Sequence, residues 1–127
     1  MPTPSPNFIL LYVSSPPASA HFYETLLGRA PVEASPTFAL FALDAGLMLG
    51  LWSRDSVQPA PPDGAAAGTS ELGFPVADTA AVDTLYRAWT ALGLTMLQPP
   101  TRMDFGQTFT AADLDGHRLR VFAPEGA

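Results

Sequence analysis

The chain has no cysteine and no lysine. The first absence excludes a disulfide framework, a thiolate zinc site and a cysteine nucleophile, and it fits a reducing compartment. The second leaves six arginines, scattered along the chain, against twelve acidic residues, for a formal net charge of −6. Binding to a phosphate backbone needs clustered cations, so nucleic acid is not an expected partner. No apolar run approaches the length of a bilayer crossing. The opening Met1-Pro-Thr-Pro-Ser-Pro has neither the basic flank nor the apolar stretch of a secretion signal, so a cytoplasmic protein without membrane contact is expected. Charged residues make up only 14% of the chain and apolar ones 47%. The surface should therefore carry apolar area, as a subunit interface, a greasy cleft or both. At 127 residues the chain is one domain long and able to bury a core without metal or disulfide support.

The same order of elements occurs twice. Each half opens on a short strand pattern, Phe8 to Val13 and Leu72 to Val76, followed by a turn and an amphipathic helix. In the first helix Phe22 and Leu26, and Tyr23 and Leu27, recur four apart, with Gly28 as the stop. In the second, Val82, Leu85, Trp89 and Leu92 form the stripe, Gly93 is the stop, and Asp78 is the N-cap. Strand-like runs joined by tight turns follow: Thr37 to Leu43, Ala45-Gly46, Leu47 to Trp52; then Gln107 to Ala112, Asp115-Gly116, His117 to Phe122. Asp-Gly between β-rich runs signals a hairpin, because the turn demands positive φ. Superimposing the turn glycines places Leu49 on Leu119, Leu51 on Val121 and Trp52 on Phe122. The halves read as copies of one βαβββ unit, over residues 7–52 and 71–123. The proline- and alanine-rich residues 53–70 offer no chemistry and read as a linker rather than a catalytic lid. Pro2, Pro4 and Pro6 mark a frayed end.

The runs LLYVSSPPASAHFYETLLG, ELGFPVADTAAVDTLYRAW and FTAADLDGHRLRVF together resemble the vicinal oxygen chelate superfamily of glyoxalases, bleomycin-resistance proteins and dioxygenases. The resemblance covers nearly the whole chain. It implies an α+β fold in which two tandem βαβββ modules form a curved mixed-sheet cup with helices on the outer face. In metal-using members each module offers two ligands, usually a His at the start of its first strand and a Glu on its last. Carried onto this sequence, those positions are Phe8 and Gly50 in the first module and Glu71 and Arg120 in the second. Only Glu71 is a metal donor, and a slip of one residue on the last strands would substitute leucine or valine. The expectation is therefore no metal and no other cofactor. The resemblance also implies a homodimer, in which modules can be exchanged between chains.

Strand alternation sorts the remaining side chains. With Gly50 facing the cup, Met48 and Trp52 share its face, as do Phe8, Leu10 and Tyr12, then Glu71, Gly73 and Pro75, and Arg118, Arg120 and Phe122. Ile9, Leu11, Val13, Leu47, Leu49, Leu51, Leu72, Phe74, Val76, Leu119 and Val121 fall on the core side. Phe8, Tyr12, Met48, Trp52 and Phe122 suit a flat, partly apolar ligand, with Gly50 and Gly73 leaving room. Arg120 is suited to fix a ligand carboxylate or phenolate. The same residues admit a structural reading, in which the aromatics close on themselves and Arg120 pairs with Glu71. For the ion pair that reading is favoured, and for Trp52 ligand contact is. Asp104-Phe105-Gly106 matches a kinase magnesium motif in letters only, since no glycine-rich phosphate loop accompanies it. Its place before the last hairpin puts Met103 and Phe105 at the cavity rim. His21 reads as a surface residue and His117 as a turn residue with a local hydrogen bond.

Three functions compete. The leading one is metal-independent binding and sequestration of a planar aromatic antibiotic or metabolite. SPTFALF and GLMLGLWSRD look particularly like the phenazine-resistance branch of the superfamily. The second is a glyoxalase- or dioxygenase-like lyase, or an isomerase with Glu71 as base, although Arg120 opposes the raised pKa such a base needs. The third is a sealed cup serving protein interaction.

Overall fold

The computed structural model describes residues 5–64 and 70–124. The expected proline-rich end up to Pro4 and residues 65–69 of the expected linker lie outside them. The chain forms two compact units, divided between residues 65 and 66. In the first, β1 (Phe8–Val13), α1 (Pro16–Leu27), β2 (Glu33–Ala34), β3 (Phe38–Ala42) and β4 (Met48–Ser53) build a four-stranded sheet in the order β1-β4-β3-β2. In the second, β5 (Glu71–Pro75), α2 (Thr79–Ala91), β6 (Thr95–Met103), β7 (Gly106–Ala112) and β8 (Arg118–Pro124) repeat the pattern in the order β5-β8-β7-β6. First and last strands run parallel and the others antiparallel. Each unit is thus a βαβββ module with a mixed sheet that is curved and not closed.

The two hairpins agree to the hydrogen bond. Leu43 N donates to Leu47 O at 2.8 Å in the first, and Asp113 N donates to His117 O at 2.9 Å in the second. The backbone turns through positive φ at Gly46 (79°) and Gly116 (90°), the geometry that calls for glycine there. The first turn also holds Ala45 at φ 60°.

Helix α1 starts where Ser15 Oγ accepts from Ala18 N at 3.3 Å, with prolines in the first helical positions, where no N–H is needed. It ends at Gly28, whose N–H donates to Glu24 O. Its buried residues are Pro16, Ser19, Ala20 and Tyr23, which corrects the expected Phe22/Leu26 and Tyr23/Leu27 stripe. Small Ser19 and Ala20 let the helix backbone approach the sheet, while Phe22 stands beside Tyr23 as an edge-on ring at 5.1 Å. Helix α2 is capped as expected, with Asp78 Oδ1 accepting from Ala81 N at 2.8 Å. Val82 and Trp89 are buried, but Leu92, expected on the stripe, is 52% exposed because the helix has already ended there.

Strand alternation holds along β1, β3 and β8, whereas β7 is buried on both faces. Leu11, Val13, Ala39, Phe41, Leu49 and Leu51 are buried in the first unit, and Phe109, Ala111, Leu119 and Val121 in the second. Each fully buried leucine contributes about 1.5–3 kcal/mol. Trp89 meets Phe74 and Phe109 edge to face at 5.5 and 5.3 Å, filling the layer between α2 and its sheet. Ile9, Leu72, Phe74 and Val76, expected in the core, are only half-buried, because β1 and β5 end their sheets. Leu47 is half-buried too, standing in the turn before β4 begins at Met48. Beyond β4, Val57 is buried, so this part of the expected linker packs into the first unit.

Candidate functional site

Register fixes what each sheet presents opposite its helix. In the first unit β1, β4 and β3 set three rows across that face: Phe8, Met48 and Ala42; Leu10, Gly50 and Leu40; Tyr12, Trp52 and Phe38. The face is apolar, and its β1 side chains are open to solvent, with Phe8 45%, Leu10 42% and Tyr12 38% exposed. Tyr12 and Trp52 meet edge to face at 6.5 Å. The structure thus brings Phe8, Tyr12, Met48, Gly50 and Trp52 together on one surface.

The gap expected above Gly50 is already filled. A Cβ at this position would stand 2.6 Å from Leu10 Cδ2, 3.0 Å from Phe8 Cε1 and 3.2 Å from Phe38 Cε1. Gly50 is therefore a slot into which three neighbours of its own sheet settle, making a level apolar platform. Phe38 and Leu40 were not singled out from the sequence, although alternation along Thr37 to Leu43 puts them on one face once β3 is paired with β4.

The second unit presents a different surface. Gly73, Arg120, Thr110 and Gln98 form one row, and Pro75, Phe122, Thr108 and Thr101 the next. Arg120 lies at its centre. Its Nε donates to Glu71 Oε2 at 2.9 Å and its Nη2 to Glu71 Oε1 at 3.0 Å, a two-pronged pair. Its Nη1 donates to Gln98 Oε1 and to Thr108 Oγ1, both at 3.3 Å. Thr108 Oγ1 in turn donates to Val121 O at 2.8 Å, and Thr110 Oγ1 to Gln98 Oε1 at 3.1 Å. The hydrogen bonds to Arg120 hold the Glu71 carboxyl below its ordinary value of 4.5, against an opposing desolvation. The same bonds raise the Arg120 guanidinium above its own ordinary value. The structural reading of this pair is the one observed.

Apolar groups flank the pair. Phe105 meets Phe122 edge to face at 6.3 Å, and the Arg120 guanidinium carbon lies 6.0 Å from the Phe105 ring centroid, at the outer limit of a cation–π contact. Gln98 Nε2 reaches Met103 Sδ at 3.7 Å. Met103 and Phe105 are exposed, one at the end of β6 and the other in the turn after it. Gln98, Thr108 and Thr110 were missed from the sequence. The Thr108/Thr110 alternation against Phe109/Ala111 was legible, but Gln98 sits beside Pro99-Pro100, which reads as a break.

The family resemblance carries the metal-ligand positions onto Phe8, Gly50, Glu71 and Arg120. Both Glu71 oxygens are committed to Arg120, and the other three residues offer no donor to a cation, so this set does not fit a metal. Among the described residues no group of three or more His, Cys, Asp and Glu is placed to hold an ion. His21 is exposed. His117 is buried, with Nδ1 2.8 Å from Asp113 Oδ2, while Asp113 Oδ1 accepts from the amides of His117 and Asp115. It makes the local hydrogen bond expected of it and clamps the last hairpin from a buried position. No described helix is long and apolar enough to cross a membrane.

Two βαβββ units with such faces define a glyoxalase-type protein, and residues 5–121 match the family model of the Glyoxalase/Bleomycin resistance protein/Dioxygenase superfamily. The chain belongs to that family. It is 30% identical to the phenazine antibiotic resistance protein EhpR of Enterobacter agglomerans over 94% of this chain and 92% of that protein. A protein of Agrobacterium tumefaciens solved in solution by NMR is 52% identical, covering 98% of this chain and all of its own, at a TM-score of 0.88. A glyoxalase-related enzyme of Fulvimarina pelagi shares 25% identity, with 94% of this chain and 87% of its own aligned, at a TM-score of 0.81.

Proposed function

We propose that this protein binds a planar aromatic small molecule without a metal and acts by sequestration, keeping the molecule from its target with no bond made or broken. The observation that carries the reading is the level apolar platform of the first unit, where Tyr12 and Trp52 offer ring surface beside a closed Gly50 slot. Tyr12 is exposed and Trp52 half-buried, and ring surface open to water is suited to stacking on a flat ligand. The expected metal-ligand positions, of which only Glu71 carries a donor and that one is taken up by Arg120, support binding over metal chemistry. So does the relative at 30% identity, which is a phenazine antibiotic resistance protein. Phe8, Met48 and Gly50 complete the platform. Glu71, Arg120, Phe122, Met103 and Phe105 form the second candidate surface.

The isomerase alternative asks Glu71 to be a base poised near neutrality, whereas its partner holds it below the ordinary carboxylate value. In keeping with the family resemblance we also propose a homodimer, to be tested by light scattering at micromolar concentration. A species of only 13.4 kDa would refute it.

The binding reading is tested by tryptophan fluorescence. Trp52 and the buried Trp89 are the two tryptophans, so titration with phenazine should quench the Trp52 part of the emission. Trp52→Ala should weaken binding about tenfold or more, the scale of losing one stacked ring. No quenching by any of a panel of planar antibiotics at micromolar concentrations would defeat the proposal.

A further inference from the structure

In the second unit the flat edge of Arg120, Nε together with Nη2, is the natural seat for a carboxylate, and Glu71 occupies it with both oxygens. Nη1 is spent on Gln98 and Thr108. Four of the five guanidinium N–H groups are thus engaged, and the one left on Nη2 makes a single bond, not a fork. Thr108, itself anchored to Val121 O, and Gln98, anchored by Thr110, prevent Arg120 from swinging to present another edge. Phe105, Phe122 and Met103 stand next to this pair, so a planar ligand resting on those rings would meet a neutral, internally satisfied ion pair instead of a free cation. Arg118, opposite Glu71 in the register, is exposed, and its charge adds a smaller pull on the Glu71 carboxylate than the one Arg120 exerts.

We infer that Glu71 is the charge-selecting residue of this surface: by filling the fork of Arg120 it turns the site toward uncharged planar heteroaromatics and away from their carboxylated forms. An anionic ligand has to displace Glu71, breaking two charge-assisted hydrogen bonds and leaving a second carboxylate beside its own. Removing the charge of Glu71 reopens the seat. The inference rests on the proposed binding function and sharpens it by naming the ligand charge.

The test is isothermal titration of wild type and Glu71→Gln at neutral pH with two probes, phenazine and phenazine-1-carboxylate. The wild type is expected to bind the carboxylate no more tightly than phenazine. Glu71→Gln is expected to shift the ratio of the two affinities toward the carboxylate by about tenfold or more, the scale of one charge-assisted contact. Glu71→Ala, which leaves the fork empty, should shift it in the same direction, so the outcome does not depend on one variant folding. A wild-type preference for the carboxylate, or a ratio unchanged in both variants, overturns the inference while leaving the binding function standing. Failure of the wild type and both variants to bind either probe overturns the binding function and the inference with it.

Discussion

At the scale of single residues, two carboxylates hold the second unit's polar groups, and both give predictions. Glu71 is about one-third exposed and Arg120 about one-fifth, so solvent screening limits their pair to about 0.5–1 kcal/mol. Because the folded-state pKa of Glu71 is depressed, this contribution is present above the unfolded value near 4.5 and is lost as pH falls through the lowered one. Glu71→Gln should therefore unfold at lower temperature than wild type at neutral pH, and the gap should close well below pH 4.5. A gap that widens on acidification would contradict the assignment. Asp113 is the more costly residue to lose, since it is buried and three hydrogen bonds from Asp115 and His117 converge on its carboxylate. Asp113→Ala is expected to cost about 2 kcal/mol in chemical denaturation, the scale of leaving buried donors unmet. The sequence placed His117 in this turn, but nothing in the spacing revealed that the ring would fold inward onto Asp113.

At the scale of elements, strands with clean alternation were legible and interrupted ones were not. β4 and β8 were read with the right faces because Leu49/Leu51 and Leu119/Val121 alternate with residues of another kind. β6 escaped because Pro99-Pro100 normally ends a strand. It survives as the edge strand of its sheet, where missing N–H groups are tolerated, and its register slips on either side of Gln98. Gln98, which holds Arg120, escaped with it. On β4 the gap inferred at Gly50 was a correct reading of residue size but not of its use, because pairing with β1 and β3 decides which side chains lean into it. Gly50→Ala should push Leu10, Phe8 and Phe38 off the slot and destabilise the protein by about 1 kcal/mol, since movable side-chain ends give way more cheaply than backbone. Thermal unfolding checks this. A variant as stable as wild type would mean that the slot is not packed.

At the scale of the whole molecule, the repeat was the most legible feature. An offset of one fixed length between the hairpin glycines predicted two like units, and the matched Leu43–Leu47 and Asp113–His117 hydrogen bonds carry that likeness to the backbone. The four positions expected from the family resemblance are equivalently placed in the two units: Phe8 and Glu71 each stand two residues before the strand partner of the matched last-strand position, Gly50 or Arg120. The two faces have nonetheless diverged. One is an apolar platform, the other a neutralised ion pair among threonines and rings. On the function proposed above, these faces hold a flat molecule rather than transform it through a metal. Calorimetric titration of phenazine into protein stripped with chelator tests this claim most directly. Saturable binding at micromolar concentrations, unchanged when nickel, zinc, iron or manganese is restored, is the predicted result. Binding that appears only after a divalent metal is added would contradict it.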